Sequence, residues 1–375
     1  MQTPRYEYSR RIITERISYL KNLSLPFGYV LRYAVKANPH PEILLLLHNA
    51  GVHFDASSSY EATELLALGI PGKHIALSSQ QSPHNLAKLL DQGVLFVATS
   101  LHQIDCFLAC PNHPETVGVR INPDIEGGGH NKRTSTGGVN ASFGIWHEYI
   151  PEILQKVRAG NVQINRMHIH IGSGADARIW EDVMVKSLAV CALFPDVTSL
   201  DIGGGFKIHR FGTEKEADLV DIADIFSTKL IDFNTKNARA LQLEIEPGTY
   251  FIAHAGTLVA MVDDIVDTGE KGYTFLRLNT GMNDFLRSTL YGARHNIELL
   301  SDSLETKEYV MVGHNCESGD IFTPVPGNPE EIEVIPLKRA QIGDEVRISD
   351  TGAYCASMRA KGYNSFPDAK EVMID

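Results

Sequence analysis

The feature that most constrains the fold is the alternation of short apolar runs with helix-like segments between about residues 28 and 250. Segments such as PEILLLLHNAG and YEATELLALG carry apolar residues at helical spacing and end in glycine, as helices often do. Strands that alternate with helices predict a parallel sheet, and eight such units predict a closed (β/α)8 barrel. The eight strand candidates are YVLRYAVKA (29–37), HFDASS (53–58), HIALSS (74–79), VLFVATS (94–100), TVGVRINP (116–123), RMHIHIGS (166–173), SLDIGGG (199–205) and LQLEIEPG (241–248).

An open, doubly wound parallel sheet is the alternative that this pattern leaves. After residue 250 the rhythm changes, because strand-like segments follow one another with Gly, Pro and Asp between them and little helix. We therefore expect an α/β barrel over residues 25–250 and a mainly β domain over residues 251–375, with residues 1–24 packed on the latter. The glycine-rich loop IEGGGHNKRTSTGGVN (125–140) is a functional candidate, since long loops in compact domains often carry function.

The composition excludes several classes of protein. Lysine and arginine number 34 against 46 aspartates and glutamates, a net charge of −12 without a basic cluster, which disfavours a nucleic-acid partner. Five irregularly spaced cysteines predict no disulfide framework, and Cys106 and Cys110 lack a second pair for zinc, so no metal is expected. No apolar run reaches the roughly 18 residues of a membrane span, and the N-terminal segment lacks the apolar core of a secretory signal. We expect a cytoplasmic protein with no membrane partner.

Strand parity predicts which polar side chains face the barrel interior. In the first strand Arg32 and Lys36 share a face, and Lys36 lies near the carboxyl end, where active sites of this fold form. Taken singly, a solvated lysine or a satisfied core histidine is the ordinary explanation; taken together, inward charges at several strand ends indicate a catalytic centre. The other inward polar side chains in this prediction are His168, His170, Gln242, Glu244 and Glu246.

Three successive glycines end the seventh strand candidate, in DIGGGF (201–206). Without side chains, their backbone N–H groups can approach an anion, and phosphate sites form at this corner of barrels. The triplet lacks the GxGxxG spacing of a dinucleotide site. A phosphate near an inward lysine suggests a phosphorylated aldehyde cofactor bound as a Schiff base.

Six segments, in this order along the chain, resemble motifs of the barrel-type (fold type III) pyridoxal-phosphate-dependent decarboxylases of diaminopimelate, ornithine and arginine. The resemblance implies an alanine racemase-like (β/α)8 TIM barrel followed by a C-terminal β barrel or sandwich. CESGD, TGAY and the HNKRTSTGG loop are most similar to bacterial diaminopimelate decarboxylases. The six segments are YAVKAN (33–38), HIHIGSG (168–174), DIGGGF (201–206), EIEPG (244–248), CESGDIFT (316–323) and DTGAYCASM (350–358).

The resemblance implies pyridoxal 5'-phosphate as the cofactor. Lys36 would bind it as a Schiff base, Glu246 would keep its pyridine nitrogen protonated, and His170 would stack on the ring. Cys316 would deliver the proton that replaces the departing carbon dioxide. The implied cofactor-binding residues are Lys36, Asp55, His170, Ser173, Gly203, Gly204, Gly205, Glu246 and Tyr354.

The implied reaction is the α-decarboxylation of a diamino acid, with meso-diaminopimelate converted to L-lysine and carbon dioxide in lysine biosynthesis. In this family the active site forms between two subunits, so the resemblance also implies a homodimer in which Cys316 and Glu317 are supplied by the second subunit. The implied substrate-binding residues are Arg287, Tyr291, Arg294, Glu317 and Tyr354.

Three residues depart from the family pattern at anion-binding or substrate-rim positions. Thr249 follows EPG where arginine is usual, Phe366 replaces the arginine of YNSRP, and Arg294 follows YGA where tyrosine is common. These changes leave open a related decarboxylase of ornithine, lysine, arginine or a conjugated diamino acid in siderophore or polyamine synthesis. An amino-acid racemase and a non-catalytic cofactor-binding protein are further alternatives, against which the CESGD cysteine and the large β domain argue.

Overall fold

The structure, a computed structural model, describes residues 2–125 and 137–375, so most of the glycine-rich loop singled out above lies outside the described residues. The chain separates into two compact units, which we call the barrel unit and the β unit. The barrel unit comprises residues 17–208 and 215–248, and the β unit comprises residues 1–16, 209–214 and 249–375.

Strands and helices alternate through the barrel unit, and strands dominate the β unit. The strands are β1 (Arg5–Ser9), β2 (Tyr29–Ala34), β3 (His53–Ala56), β4 (Ile75–Leu77), β5 (Leu95–Ala98), β6 (Thr116–Asn122), β7 (Ile145–Trp146), β8 (Gln163–His168), β9 (Ser199–Asp201), β10 (Gln242–Ile245), β11 (Gly256–Asp267), β12 (Thr274–Leu278), β13 (Ile297–Leu300), β14 (Thr306–Val312), β15 (Pro324–Val325), β16 (Asn328–Ile332), β17 (Ile335–Lys338), β18 (Glu345–Ile348) and β19 (Lys370–Ile374). The α-helices are α1 (Arg10–Lys21), α2 (Pro41–Asn49), α3 (Ser59–Ala67), α4 (Leu86–Asp91), α5 (Leu101–Leu108), α6 (Ile150–Ala159), α7 (Ala177–Cys191), α8 (Leu219–Asn237), α9 (Thr249–Ile252) and α10 (Arg287–Tyr291).

The barrel unit is closed by eight parallel strands. Along the ring β5, β4, β3, β2, β10, β9, β8 and β6 are neighbours, and the pairing of β5 with β6 completes the circle. Each of the eight apolar runs contains or overlaps one of these strands, so the predicted (β/α)8 barrel is confirmed and the open, doubly wound sheet is excluded. The first strand is shorter than predicted, because the chain turns at Val35–Ala37 and the Asn38 N–H donates to the Val35 carbonyl, 3.1 Å away.

Reciprocal side-chain caps fix where two barrel helices begin. After β3, the Ser58 hydroxyl accepts a hydrogen bond from the Glu61 N–H (3.1 Å), and the Glu61 carboxylate accepts one from the Ser57 N–H (2.6 Å). After β5, Ser100 accepts from the Gln103 N–H in the same way (3.1 Å). Because each cap follows its strand by two residues, it also fixes the chain direction at the carboxyl end of the barrel.

A buried ion-pair network occupies part of the barrel interior. The Glu244 carboxylate accepts hydrogen bonds from Arg32, Arg166 and the Ser199 hydroxyl. Burial opposes ionisation, but the two guanidinium groups outweigh it and lower the pKa of Glu244 to about 2. The expectation that Glu244 belongs to the catalytic cluster is therefore wrong, because its oxygens are used in structural ion pairs, and Gln242 is exposed.

The β unit contains an eight-stranded sheet, which confirms the predicted β-rich domain. Its main path is β13–β18–β11–β12–β14–β17, and β1 joins it by pairing antiparallel with β11 and parallel with β19. The strands β15 and β16 form a separate antiparallel pair. Across residues 2–125 and 137–375, no helix combines the length and the apolar character that crossing a membrane requires.

Candidate active site

The carboxyl ends of the barrel strands bring buried ionisable side chains together. Because parallel strands all end on the same side of a closed barrel, residues at or just after those ends converge, as active-site residues of this fold do. Each of the following is no more than 7% exposed although its side chain can carry a charge. They are Asp55 in β3, Arg120 in β6, His168 at the end of β8, Asp201 at the end of β9 and Glu246 directly after β10.

Asp201 and Glu246 form a coupled carboxyl pair, since their side chains are hydrogen-bonded to each other. Burial, with the negative charge of Glu244, raises the pKa of Asp201 to about 6. Burial, Asp201 and Asp55 raise the pKa of Glu246 well above its ordinary value. The pair therefore retains a proton near neutral pH in the protein alone, and a cationic N–H group placed against Glu246 would restore its ionised form.

Two neutral histidines lie near Arg120, and His168 also adjoins this pair. His168 Nε2 lies 3.6 Å from Glu246 Oε2, and His168 Nδ1 lies 3.1 Å from the Ser78 hydroxyl. Burial, followed by the nearby Arg120 charge, lowers the pKa of both His168 and His170 well below the ordinary value. Both imidazoles are therefore uncharged at neutral pH, and an uncharged ring suits stacking on a flat aromatic group.

The three glycines of DIGGGF form a cradle that side chains would fill. A Cβ on Gly203 would lie 2.2 Å from His170 Nδ1, one on Gly204 would lie 2.0 Å from the Glu246 carbonyl oxygen, and one on Gly205 would lie 1.7 Å from the Gly172 carbonyl oxygen. Gly203 and Gly205 also have φ values of 72° and 99°, in the left-handed region that glycine favours. Ser173 lies next to the cradle, because a Cβ on Gly205 would be 2.9 Å from the Ser173 Cα. A backbone without side chains at this place fits a bound phosphate.

Lys36 lies in the turn Val35–Ala37, directly after β2. Burial raises the pKa of Asp55, and the Lys36 ammonium and Arg120 guanidinium partly offset that rise. The Lys36 charge acts on Glu246 in the same direction. The structure therefore brings Lys36, Asp55 and Glu246 into one electrostatic cluster, although Lys36 lies beyond the strand that was predicted to carry it.

Sequence reasoning did not identify Arg120 and Asp201 as functional residues. Arg120 is 7% exposed, and within the described part of the chain its Nη2 atom has no hydrogen-bond partner. It faces the carboxylates of Asp55, Asp201 and Glu246, each of which raises its pKa against the lowering effect of burial. An arginine inside the apolar run TVGVRINP and the aspartate that opens DIGGGF were the available signals.

The potential metal-ligand atoms of His168, Asp201 and Glu246 lie within 4.8 Å of one another. Among the described residues, this is the one group of three or more such side chains that could hold a metal ion. Asp201 and Glu246 already share a proton, and the positive charge of Arg120 lies beside them. Both features disfavour a divalent cation, so the same groups suit an organic cationic N–H better.

The other predicted site residues belong to the β unit. Arg287 and Tyr291 lie one turn apart on α10, with the guanidinium carbon 5.9 Å from the tyrosine ring centroid. Tyr354 adopts a left-handed conformation with φ 57°. Arg294 is buried, bonds the Pro324 carbonyl (3.0 Å) and forms an ion pair with Glu333. The substrate role of Arg294 stays a prediction, and its charge is already engaged.

The CESGD segment forms a loop in which Cys316 and Glu317 are exposed. The buried Asp320 carboxylate accepts hydrogen bonds from the backbone N–H groups of Met282 (2.7 Å) and Asn315 (3.0 Å), which fixes the loop. Cys316 is exposed, and its N–H donates to the Asn364 side-chain oxygen at 2.8 Å. The Glu317 carboxylate is also exposed and accepts a 3.4 Å hydrogen bond from the Tyr363 hydroxyl.

Comparison with known proteins identifies the family. The model of the family described as "Pyridoxal-dependent decarboxylase, pyridoxal binding domain" matches residues 10–253. The chain belongs to the pyridoxal-dependent decarboxylases. The cofactor of this decarboxylase is pyridoxal 5'-phosphate, and the glycine cradle and the carboxyl pair at Glu246 fit its phosphate and its pyridine nitrogen. It is a carboxy-lyase, as the motifs predicted.

Relatives of this decarboxylase cover nearly its whole length. Diaminopimelate decarboxylase of Streptomyces coelicolor is 33% identical over 387 residues, which cover 100% of this chain and 84% of that protein. The Escherichia coli K12 enzyme of the same name is 32% identical, and the match covers 99% of this chain and 89% of that enzyme.

Solved structures agree with this result. A crystal structure of a diaminopimelate decarboxylase has a TM-score of 0.90 at 30% identity and covers 99% of this chain and 88% of that one. A crystal structure of Helicobacter pylori diaminopimelate decarboxylase complexed with L-lysine has a TM-score of 0.86 at 26% identity. The match covers 100% of this chain and 92% of that one.

Proposed function

We propose that this decarboxylase converts meso-diaminopimelate to L-lysine and carbon dioxide. The observation that carries the proposal is the carboxyl pair of Asp201 and Glu246 beside the glycine cradle, which provides one place for a phosphate and another for a cationic ring nitrogen. The full-length relatives named diaminopimelate decarboxylase support the substrate. A place in lysine biosynthesis and a cytoplasmic location are parts of the same proposal.

Each barrel residue has a separate task in this mechanism. Lys36 would hold the cofactor covalently through Nζ, the cradle and Ser173 would hold its phosphate, and Glu246 would keep a proton on its pyridine nitrogen. Bound pyridoxal 5'-phosphate supplies an electron-accepting ring, which stabilises the charge left when carbon dioxide departs. His170 would cover one ring face and exclude water from it.

The β unit supplies groups for the substrate. We propose that the Cys316 Sγ holds the proton that is placed on the α carbon after carbon dioxide leaves, and that the Glu317 carboxylate binds the distal ammonium of the substrate. Both side chains are exposed in the single chain, which is consistent with their use by a second subunit. The homodimer with shared active sites is therefore part of the proposal.

The experiment is a measurement of carbon dioxide release by the cofactor-loaded enzyme. The substrates are meso-diaminopimelate, lysine, ornithine, arginine, their D forms and citryl or carboxyalkyl conjugates. We expect the highest kcat/KM with meso-diaminopimelate and no release by Lys36→Ala. Lys88→Ala, on the exposed face of α4, is the matched control and should behave like the wild type.

Two outcomes would replace the proposal. A higher kcat/KM for another substrate of the panel would favour the related decarboxylase that Thr249 and Phe366 leave open. In the structure, Phe366 stacks on His314 with 3.7 Å between the ring centroids. Racemisation of an amino acid without carbon dioxide release would instead favour a racemase on the same barrel.

A further inference from the structure

Arg210 is a residue of the β unit that no motif assigns. It lies in the short segment His209–Glu214, which belongs to the β unit although its chain neighbours on both sides belong to the barrel unit. The Arg210 carbonyl accepts a 3.0 Å hydrogen bond from the Asn296 side chain, and the neighbouring Phe211 ring lies 4.7 Å from the Arg294 guanidinium. These contacts hold the segment in place and so fix where the Arg210 side chain begins.

The Arg210 guanidinium has buried N–H groups that donate to no acceptor in the described part of the chain. Its Nε and Nη2 atoms are buried, and among the residues that the structure describes they have no hydrogen-bond partner; the same is true of Arg287 Nε. A buried donor without a partner costs free energy that folding alone does not recover. Two such arginines near each other therefore point to a missing acceptor.

The electrostatics of the cluster indicate the charge of that acceptor. Burial, followed by the positive charge of Arg287, lowers the pKa of Arg210 to about 10. The nearby carboxylates are engaged elsewhere: Asp350 bonds His254 Nδ1 at 2.5 Å, and Glu214 accepts from the backbone N–H of Arg210 at 3.1 Å. The two guanidinium groups thus repel each other, and an anion between them would relieve that repulsion.

A third side chain adds a directional constraint. His295 is 2% exposed, and its Nδ1 lies 2.8 Å from the Ser349 carbonyl oxygen, so that nitrogen carries the proton. Its Nε2 is buried without a partner in the described chain, and burial with the two arginine charges lowers the pKa of the ring well below its ordinary value. The ring is neutral, so it adds no positive charge, and its Nε2 can accept but not donate a hydrogen bond, which leaves the binding of an anion to the two arginines.

We infer that Arg210 and Arg287 together bind an oxyanion on the β unit. The inference rests on the proposed function, whose reaction offers two oxyanions: the second carboxylate of the diamino acid and the phosphate of the cofactor. A guanidinium pair binds either through the same bidentate chemistry. Arg210 thereby supplies the second guanidinium that position 249, a threonine in this chain, does not provide.

The test measures binding rather than turnover. Pimelate, a dicarboxylate without amino groups, is titrated calorimetrically into wild type and Arg210→Gln, and pyridoxal 5'-phosphate is titrated by absorbance into the same cofactor-free proteins. Arg210→Lys keeps the charge without the fork and should lie between the two. Arg277→Gln, on β12 with a half-exposed side chain, is the matched control and should bind like the wild type.

A pimelate Kd raised about tenfold or more in Arg210→Gln, with an unchanged cofactor Kd, would identify the substrate carboxylate as the ligand. A cofactor Kd raised as much, with unchanged pimelate binding, would identify the phosphate. If both Kd values stay within about twofold of the wild type in a folded variant, the inference is overturned. A wild type that binds pimelate through Arg210 but releases no carbon dioxide from diaminopimelate would refute the proposed function alone.

Discussion

The carboxyl groups of Asp201 and Glu246 are hydrogen-bonded to each other at the ends of the neighbouring strands β9 and β10. Two buried carboxyls in contact cannot both ionise without a compensating cation, so one of them keeps a proton. His168 lies next to the pair, with its Nε2 3.6 Å from Glu246 Oε2. Burial keeps the His168 imidazole neutral by lowering its pKa. This arrangement makes the ionisation of Glu246 depend on what binds next to it.

Glu246→Gln is expected to lower kcat by about 100-fold or more, because an amide cannot carry the negative charge that keeps a proton on the ring nitrogen. The affinity for pyridoxal 5'-phosphate should fall less, since the glycine cradle is intact. Steady-state carbon dioxide release and absorbance titration measure the two effects. A kcat within about threefold of the wild type would contradict this role.

Glu244→Gln, in β10 two residues before Glu246, is expected to act on stability instead. It leaves the buried Arg32 without its ion pair, which typically costs about 3–5 kcal/mol. Urea denaturation should detect the loss in the free energy of unfolding, while the absorbance of the bound cofactor stays that of the wild type. Unchanged stability together with a lost cofactor spectrum would reverse the assignments of Glu244 and Glu246.

Gly204→Ala is expected to weaken the binding of pyridoxal 5'-phosphate by about tenfold or more, since its Cβ would lie 2.0 Å from the Glu246 carbonyl oxygen and displace the cradle. Gly69→Ala is a suitable control, because a Cβ there meets no atom within 4 Å and costs only about 1 kcal/mol of backbone strain at φ 83°. Equal cofactor Kd values in the two variants would argue against the cradle.

The stability of the cofactor-free protein should depend on pH through Asp201. Its pKa is about 6 in the folded chain against an ordinary value of 3.8, so the folded state binds the proton more tightly than the unfolded state. This contribution to stability is present below about pH 4 and is lost as the pH rises through about 6. Asp201→Asn, which cannot ionise, should therefore gain stability relative to the wild type between pH 4 and 7 in urea titrations. A constant difference would show that Asp201 does not titrate in this range.

The alternation of strands and helices predicted the barrel because each strand pairs with its neighbours in chain order, so local patterns suffice. Parity also predicted that Glu244 and Glu246 point into the barrel, and both are buried. It could not separate their roles, because two residues on one face of a strand differ only in depth, and depth depends on partners from distant strands such as Arg32 and Arg166. Parity alone therefore did not distinguish Glu244 from Glu246, whereas the resemblance of EIEPG to a family motif did.

Arg210 was beyond prediction for a related reason. It follows the glycine loop of the barrel, yet its segment belongs to the β unit, and its neighbours Arg287 and His295 lie about 80 residues later in the chain. Contacts at that sequence distance leave no periodic signal. The motifs singled out Lys36 and Cys316, whose roles stay predictions, because their neighbours in the chain are themselves distinctive.

The central claim is that the barrel decarboxylates a diamino acid with Lys36 as the residue that holds the cofactor. The most direct measurement is the stoichiometry of carbon dioxide and L-lysine formed from meso-diaminopimelate by purified, cofactor-loaded protein. Equal amounts of the two products from the wild type, and neither from Lys36→Ala, are the expected results. Consumption of diaminopimelate without carbon dioxide, or equal turnover by Lys36→Ala, would contradict the claim.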